Sequence, residues 1–404
     1  AAKYGSDVCD HYTYVIMGDG CLMEGISEEA IALAGHWKLN KLIAFWDNNN
    51  VTIDGNVSLA SSTDQIARFK ANGWNTIAVD GHDCCQIERA IKKAQKSDKP
   101  TMIACKTTIG FGAPNKCNSP KCHGAPLGAD ELALMREKLG WTAEPFAVPD
   151  AILQMWRTAG KRCAGLDKEW EKRAKAKGKE FMDAIAGKLP KGWDKELNKL
   201  KEQAVKEQIT VASRKASQMC LETIMPHLPQ LIGGSADLAG PNMVLTKTSK
   251  NITAKDFSGN NIEYGVREHA MGAIMNGMAL HGGIIPFGGT FFVFSDYLRP
   301  SMRLAALMGL HTIYVMTHDS IGVGEDGPTH QPIEHLASFR AMPNMLTFRP
   351  CDVVETAEAW ALAIEQERTP SILALSRQNL PLLRQDAKTN MSARGGYIIA
   401  GDEK

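Results

Sequence analysis

Apolar positions along this chain follow two alternating rhythms. Short β-rich runs at 12–17, 42–46, 76–79 and 102–106 are separated by stretches with three-to-four spacing, as at Leu22, Ile26, Ala30, Ala34 and Trp37. The first rhythm marks strands and the second marks one face of a helix. Helices are therefore expected at 21–38, 63–72 and 86–96, and the alternation defines a doubly wound α/β domain. It resumes from about 205, with strands expected at 231–233, 262–264, 284–286, 312–316, 346–348 and 372–375, and helices at 267–280, 294–308 and 353–366. The expected organisation is a first α/β domain at 1–149, a charged helical linker at 150–204 and a second domain of similar build at 205–390. Residues 391–404 carry Gly395-Gly396 and an apolar 397–400, read as the first strand of a further C-terminal domain. The Gly/Pro/Asn-rich loop 109–128 is too long for a simple connector and is expected to be functional.

Composition narrows the class. With 404 residues, 44% of them hydrophobic, the chain has ample material for two buried cores. A net charge of +1 argues against a general nucleic-acid or membrane-surface binder. The basic part is 161–202, where 13 Lys and Arg face 8 acidic residues, the pattern of solvated helices rather than a polyanion site. Ten cysteines without a regular framework fit a reduced, cytoplasmic setting. Cys117 and Cys122-His123 lack a second pair at zinc-binding spacing. The most apolar region, 270–294, is broken by His281, several glycines and Pro286, so no membrane span is expected. No secretory leader is read at the front, where Ala1 lies close to a core strand, as if the chain starts in mid-domain.

Chemistry concentrates first at Gly18-Asp19-Gly20, between a strand and a helix, and at Asn48-Asn49, at the end of the next strand. In a parallel sheet both turns fall on the edge where ligands bind. A carboxylate, an amide oxygen and a free backbone carbonyl are hard ligands suited to Mg²⁺ or Ca²⁺. The helix that follows Gly20 points its positive end at the same place, which suits a diphosphate. This is the pattern of enzymes that hold thiamine diphosphate through a divalent metal, although an ordinary βαβ unit with a Gly turn and a polar loop reads the same way.

Glu268 is the second focus, in Gly265-Val266-Arg267-Glu268-His269 at a helix mouth. As a plain first-turn acid it would interact favourably with the helix dipole. As a buried carboxyl, lifted toward neutrality by desolvation, it would hold and pass a proton to a heterocycle. Phe291, Phe294 and Tyr297 follow at spacing three, and a Gly288-Gly289-Thr290 turn before them is expected to leave room for a planar ring.

With these residues in place, the chain closely resembles transketolase. The matching runs are GDGCLMEGIS, LIAFWDNN, TTIGFG, CHGAPLG, ASRKAS, GGSADLAGPN, YGVREHAMGAI, GGTFFVFSDY, THDSIGVGEDGPTHQP, FRPCD and LSRQNL, covering almost the whole sequence. The resemblance implies transfer of a two-carbon ketol unit between sugar phosphates by thiamine diphosphate. It implies Asp19, Asn49 and the Val51 carbonyl as metal ligands, with Gly18, Gly20 and Glu24 beside the cofactor. Glu268 would meet the aminopyrimidine nitrogen, within an aromatic wall of Phe291, Phe294 and Tyr297. Arg214, His318 and Arg377 resemble the phosphate clamp, Asp326 and His330 the readers of the ketose hydroxyls, and His123 the histidine beside the diphosphate and the reacting carbon. A homodimer with the site at the subunit interface is also implied.

Two departures stand out. Pro241 occupies a place where the family commonly shows serine, removing a hydroxyl from the phosphate site. The family's first-domain front and its C-terminal domain find no counterpart, so the chain by itself is expected to be inactive or weak. Rival readings are dihydroxyacetone synthase, which shares these motifs, and a truncated, non-catalytic binding or regulatory protein.

Overall fold

The computed structural model describes residues 1–401 and divides them into two compact units, one at 3–173 and the other from Ala174 onward. In the first unit, β1 (Thr13–Gly18), β2 (Leu42–Asn48), β3 (Asn75–Asp80) and β4 (Thr101–Lys106) form a parallel sheet in the order β1-β2-β4-β3. Helices α1 (Gly25–His36), α2 (Gln65–Ala71) and α3 (Cys84–Ala94) connect them, and α4 (Ala129–Lys138), α5 (Asp150–Lys161) and α6 (Cys163–Ala176) follow. The division between units falls within α6.

Local chemistry sets these boundaries. Asp64 caps α2 by accepting from the Ala67 N–H at 3.0 Å, and Asp83 caps α3 by accepting from Cys85 and Gln86. Such caps satisfy N–H groups that the first helical turn leaves unpaired. Gly35 is required by proximity, since a Cβ there would stand 1.7 Å from the Asn72 carbonyl oxygen. The core packs Leu22, Ile31, Trp46, Phe69, Trp74 and Met102, with Phe69 and Trp74 edge to face at 5.0 Å. Strand β1 at the sheet margin leaves Tyr14, Val15 and Ile16 exposed.

The second unit contains α7 (Lys179–Ile185), α8 (Lys195–Glu207), β5 (Val211–Ala212), α9 (Ser213–Ile224), β6 (Leu231–Ser235), β7 (Asn261–Glu263), α10 (Glu268–His281), β8 (Ile285–Phe291) and α11 (Ser295–Met308). It continues with β9 (Ile313–Thr317), α12 (His335–Arg340), β10 (Leu346–Phe348), α13 (Val353–Glu365), β11 (Ser371–Leu375) and β12 (Asn379–Leu380). Six strands pair in parallel in the order β10-β11-β9-β8-β6-β7, while β5 and β12 form a small antiparallel ribbon. From β6 the chain builds outward to β7 on one side and through β8 and β9 on the other. That reversal opens a crevice at the carboxyl ends of the strands.

Phe287 and Trp360 anchor the core edge to face at 6.0 Å, and the Trp360 indole N–H donates to Ser217 Oγ at 2.9 Å. A buried Arg384–Glu358 pair, with both contacts at 3.1 Å, ties the segment after β12 to α13.

Both parallel α/β sheets form as expected, and each strand expected between 12 and 375 is present, most with shifted ends. Two expectations fail. Gly288, Gly289 and Thr290 form no turn but lie inside β8. A Cβ on Gly288 would come within 2.5 Å of Met275 Sδ, so the glycine admits the methionines of α10 onto the sheet. Residues 397–400 form no strand either. Tyr397 is taken up by side-chain bonds, donating to Glu355 and accepting from Arg384 Nη1 at 2.7 Å.

Candidate active site

Each unit assembles its own group of candidates at the carboxyl edge of its sheet. In the first, β1 ends at Gly18 and delivers Asp19, which is buried at 7% exposure. Asp19 Oδ1 accepts from the Trp46 indole N–H at 3.1 Å, and Oδ2 accepts from the Asn50 N–H at 2.8 Å. Burial lifts the carboxyl above its ordinary pKa, against these two bonds, which act to lower it. Asn50 has a positive φ of 64°, turning the chain so that its N–H reaches Asp19. Asn49 Oδ1 accepts from the Val51 N–H at 3.0 Å, while its Nδ2 donates to Asp47 at 3.3 Å, which fixes the amide orientation.

Asp19, Asn49 and Val51 therefore belong to one hydrogen-bonded turn. Each side-chain oxygen accepts one bond or none, leaving lone pairs for a cation. An all-oxygen donor set with one buried carboxylate fits Mg²⁺ or Ca²⁺. Gly18 and Gly20 flank it, with no heavy atom within 4 Å of a Cβ built on either, so the approach is open. A cleft of about 460 Å³ adjoins the turn, lined by Asp47, Asn49, His82 and Thr107 among others. Glu24 is exposed at the start of α1, and His123 is exposed after a short 3-10 turn in the long loop. Neither is hydrogen-bonded to the Asp19 turn among the described residues. His82 went unnoticed in the sequence. Its Nε2 accepts from the Thr108 N–H at 3.0 Å, and its ring stacks on Phe111 at 4.1 Å.

In the second unit, β8 ends at Phe291 and β9 is followed by His318. The two rings stack at 3.7 Å. Phe294 lies parallel to Phe291 at 5.9 Å, Tyr297 is 6.3 Å beyond Phe294, and His330 stands edge-on to Phe294 at 5.4 Å. Tyr297 is 66% exposed, so it ends the aromatic wall on an open side. Glu268 is buried as the first residue of α10, which packs on β8.

A hydrogen-bond relay sets the state of His318. Asn242 Nδ2 donates to Ser235 Oγ at 3.0 Å, so its Oδ1 accepts from Thr317 Oγ1 at 2.6 Å. Thr317 Oγ1 then accepts from His318 Nδ1 at 2.9 Å, placing the proton on Nδ1. The lone pair on Nε2 faces Arg214 Nη1 at 3.4 Å. Burial, followed by the charge of Arg214, pushes the His318 pKa from 6.5 down to about 4. His318 also has a positive φ of 58°, a strained conformation of the kind that clusters at functional sites.

Arg214 Nη1 donates to the Pro241 carbonyl at 2.8 Å, and its Nε is buried without a partner. Pro241 thus supplies a carbonyl that aims the guanidinium, which reading only its missing hydroxyl overlooks. Burial and the neighbouring Arg377 both draw Arg214 below its ordinary pKa, with Asp326 opposing. Arg377 Nη2 donates to Glu325 Oε1 at 2.6 Å. The structure therefore gathers Arg214, His318, Phe291, Phe294 and His330 by direct contact, with Arg377 and Asp326 in electrostatic range. The relay through Ser235, Asn242 and Thr317 escaped notice because its Asn242–Thr317 bond spans 75 residues of sequence. Their presence inside the GGSADLAGPN and THDS runs was the available signal.

A metal-ready acidic turn on one parallel sheet, and a buried acid with an aromatic wall on another, define a thiamine diphosphate-binding class of protein. The family profile described as "Transketolase, thiamine diphosphate binding domain" matches residues 1–190, and "Transketolase, pyrimidine binding domain" matches 209–382. The chain is 53% identical to a transketolase of Rhodobacter capsulatus over 412 aligned residues, which cover all of this chain and 61% of the relative. It is 50% identical to one of Sinorhizobium medicae, covering 99% of this chain and 58% of the relative. A Pichia stipitis transketolase solved in complex with sedoheptulose 7-phosphate aligns with a TM-score of 0.92 and 43% identity, covering 97% of this chain and 60% of that one. Transketolase from Leishmania mexicana aligns at 0.91 and 40% identity, covering 98% and 60%. The chain belongs to the transketolase family, and it spans about three-fifths of the length of these relatives.

The depressed pKa of His318 has a consequence for acid stability. Its folded value lies below its unfolded one, so the stabilisation from neutrality is fully present above pH 6.5 and is lost as pH falls toward about 4. His318→Gln should flatten that acid limb, measured as urea midpoints at pH 7 and pH 5. An unchanged slope would show that His318 is not held neutral.

Proposed function

We propose that this chain is the catalytic core of a transketolase, moving a two-carbon ketol unit from a ketose phosphate such as xylulose 5-phosphate to an aldose phosphate such as ribose 5-phosphate. The observation that carries this reading is the cluster of Arg214, neutral His318 and Phe291, beside Arg377 and on the same sheet edge as Glu268. It combines cationic forks for a phosphate with a neutral imidazole and a buried acid. The Pichia stipitis enzyme, solved in complex with a ketose phosphate, supports the substrate class.

When bound, thiamine diphosphate supplies the carbon nucleophile and the electron sink that carbon–carbon cleavage needs. Asp19, Asn49 and the Val51 carbonyl would hold Mg²⁺ or Ca²⁺, and the metal would hold the diphosphate. Glu268, buried at the head of α10, would hold a proton at the pyrimidine nitrogen. Phe291, Phe294 and Tyr297 would stack against that ring. Arg214 and Arg377 would bind the sugar phosphate through charge-assisted bonds, and Arg377 would exchange its Glu325 partner for it. Asp326 and His330 would read substrate hydroxyls, and His123 would act near the reacting carbon. The reading extends to domains at 1–149 and 205–390 around a linker at 150–204. It also extends to a cytoplasmic homodimer with the site at its interface, serving pentose phosphate interconversion.

Both tests use the chain completed with the flanking segments of its relatives. Glu268→Gln should slow hydrogen–deuterium exchange at the thiazolium C2 by about 100-fold or more while leaving the melting temperature nearly unchanged. Exchange at the wild-type rate would refute the role of Glu268.

Arg377→Ala should lower kcat/KM for phosphorylated donors by about 10–100-fold, as loss of a charge-assisted bond requires, and change hydroxypyruvate turnover only slightly. Equal losses on both donors would contradict the clamp.

A further inference from the structure

Every proton in the relay behind His318 has a determined direction. Ser235 Oγ donates to the Gly289 carbonyl at 2.9 Å, so toward Asn242 it can only accept. Asn242 therefore presents Oδ1 to the Thr317 hydroxyl, which donates to it at 2.6 Å. That leaves the Thr317 oxygen as the acceptor for His318 Nδ1–H at 2.9 Å. Ser235, Asn242 and Thr317 are wholly buried, so bulk water has no access to these bonds.

The outer nitrogen, Nε2, is consequently a hydrogen-bond acceptor. Its neighbour is Arg214 Nη1, at 3.4 Å. The charged and titratable groups around the ring are Arg214 on α9, Asp326 and His330 in the segment before α12, and Arg377 after β11. Asp319, the next residue, is turned onto Arg349 instead and accepts from its Nε at 2.9 Å. Burial, and then Arg214, hold the ring neutral. A phosphate drawn to Arg214 and Arg377 brings an anionic oxygen beside a nitrogen lone pair, and the two repel. One proton between them turns the contact into a charge-assisted hydrogen bond.

We propose that phosphate recognition here is proton-coupled, the site taking a phosphate monoester together with one proton shared between His318 Nε2 and a phosphate oxygen, with Asn242 and Thr317 as the positioning residues that impose it. This inference rests on the proposed phosphate clamp. A monoester is mostly dianionic above its second pKa of about 6, so the proton comes from solvent. It ends on Nε2 or on the phosphate oxygen, and no bond to phosphorus changes. In the other tautomer, Nε2–H would donate to the dianion directly and no proton would be taken up. Binding therefore weakens as pH rises, through a relay that touches no substrate atom.

The test is titration calorimetry of glycerol phosphate, a plain phosphate monoester, into the 404-residue chain at about pH 8, where the monoester is dianionic. Arg214, His318 and Arg377 all lie in the second unit, so this chain carries the whole clamp. In buffers of different ionisation heat, the slope of binding heat should report uptake of about one proton per phosphate, with affinity falling about tenfold per pH unit. His318→Gln, whose amide donates to a dianion without a proton, should bind with uptake near zero. Thr317→Val and Asn242→Leu remove the acceptor for Nδ1–H, let the proton move to Nε2, and should also lower the uptake toward zero. A merely structural role would weaken binding and leave the proton count unchanged. Circular dichroism would establish folding, and the nearly isosteric Thr317→Val suffices if Asn242→Leu does not fold. Phosphate binding without proton uptake in the wild type, or undiminished uptake in folded His318→Gln or Thr317→Val, would overturn this inference and leave the clamp standing. Absence of any phosphate binding would overturn both.

Discussion

A parallel sheet covered by helices on both faces has few places for polar chemistry, and that constraint organises this molecule. Buried strands such as β4, β8 and β9 are lined almost wholly by apolar or small residues. Polar side chains gather where strands end. Asp19 follows β1, Asn49 follows β2, His318 follows β9 and Arg377 follows β11. The strand ends point the same way because every pair in both large sheets is parallel. Placement of functional groups is thus a consequence of topology, before any side chain is chosen.

Side-chain networks then determine chemical state. Asp19 is held by one indole N–H and one backbone N–H, yet burial keeps its carboxyl raised, a tension that a divalent cation would relieve. His318 shows the converse. A chain of hydrogen bonds from Ser235 through Asn242 and Thr317 selects its tautomer, and Arg214 opposes its protonation. A neutral imidazole beside two arginines is a hydrogen-bonding group whose charge does not compete with theirs. The two arginines and the imidazole are therefore one electrostatic unit.

Much of this was legible in the sequence because it is local. The strand–turn–helix around Asp19 and the helix mouth at Glu268 follow from hydrophobic period and turn residues within about one element. What was not legible is either long-range or atypical. The bond between Thr317 and Asn242 joins residues 75 apart, and no periodicity encodes it. Gly288 and Gly289 resemble a turn, yet they lie within β8 because Met275 and Asn242 pack where their side chains would be. The run 397–400 is strand-like in composition, but the phenol of Tyr397 is committed to Glu355 and Arg384. Helix α12, six residues long, is too short to show a period.

The central claim is that the Asp19–Asn49 turn anchors a metal-bound diphosphate. Calorimetric titration of thiamine diphosphate into the completed chain, with Mg²⁺ and with chelator, tests it most directly when repeated on Asp19→Ala. Tight binding that needs Mg²⁺ and weakens by about 100-fold or more without Asp19 is the expected result, since the site would lose its charged oxygen ligand. Binding that is indifferent both to Mg²⁺ and to Asp19 would contradict the account.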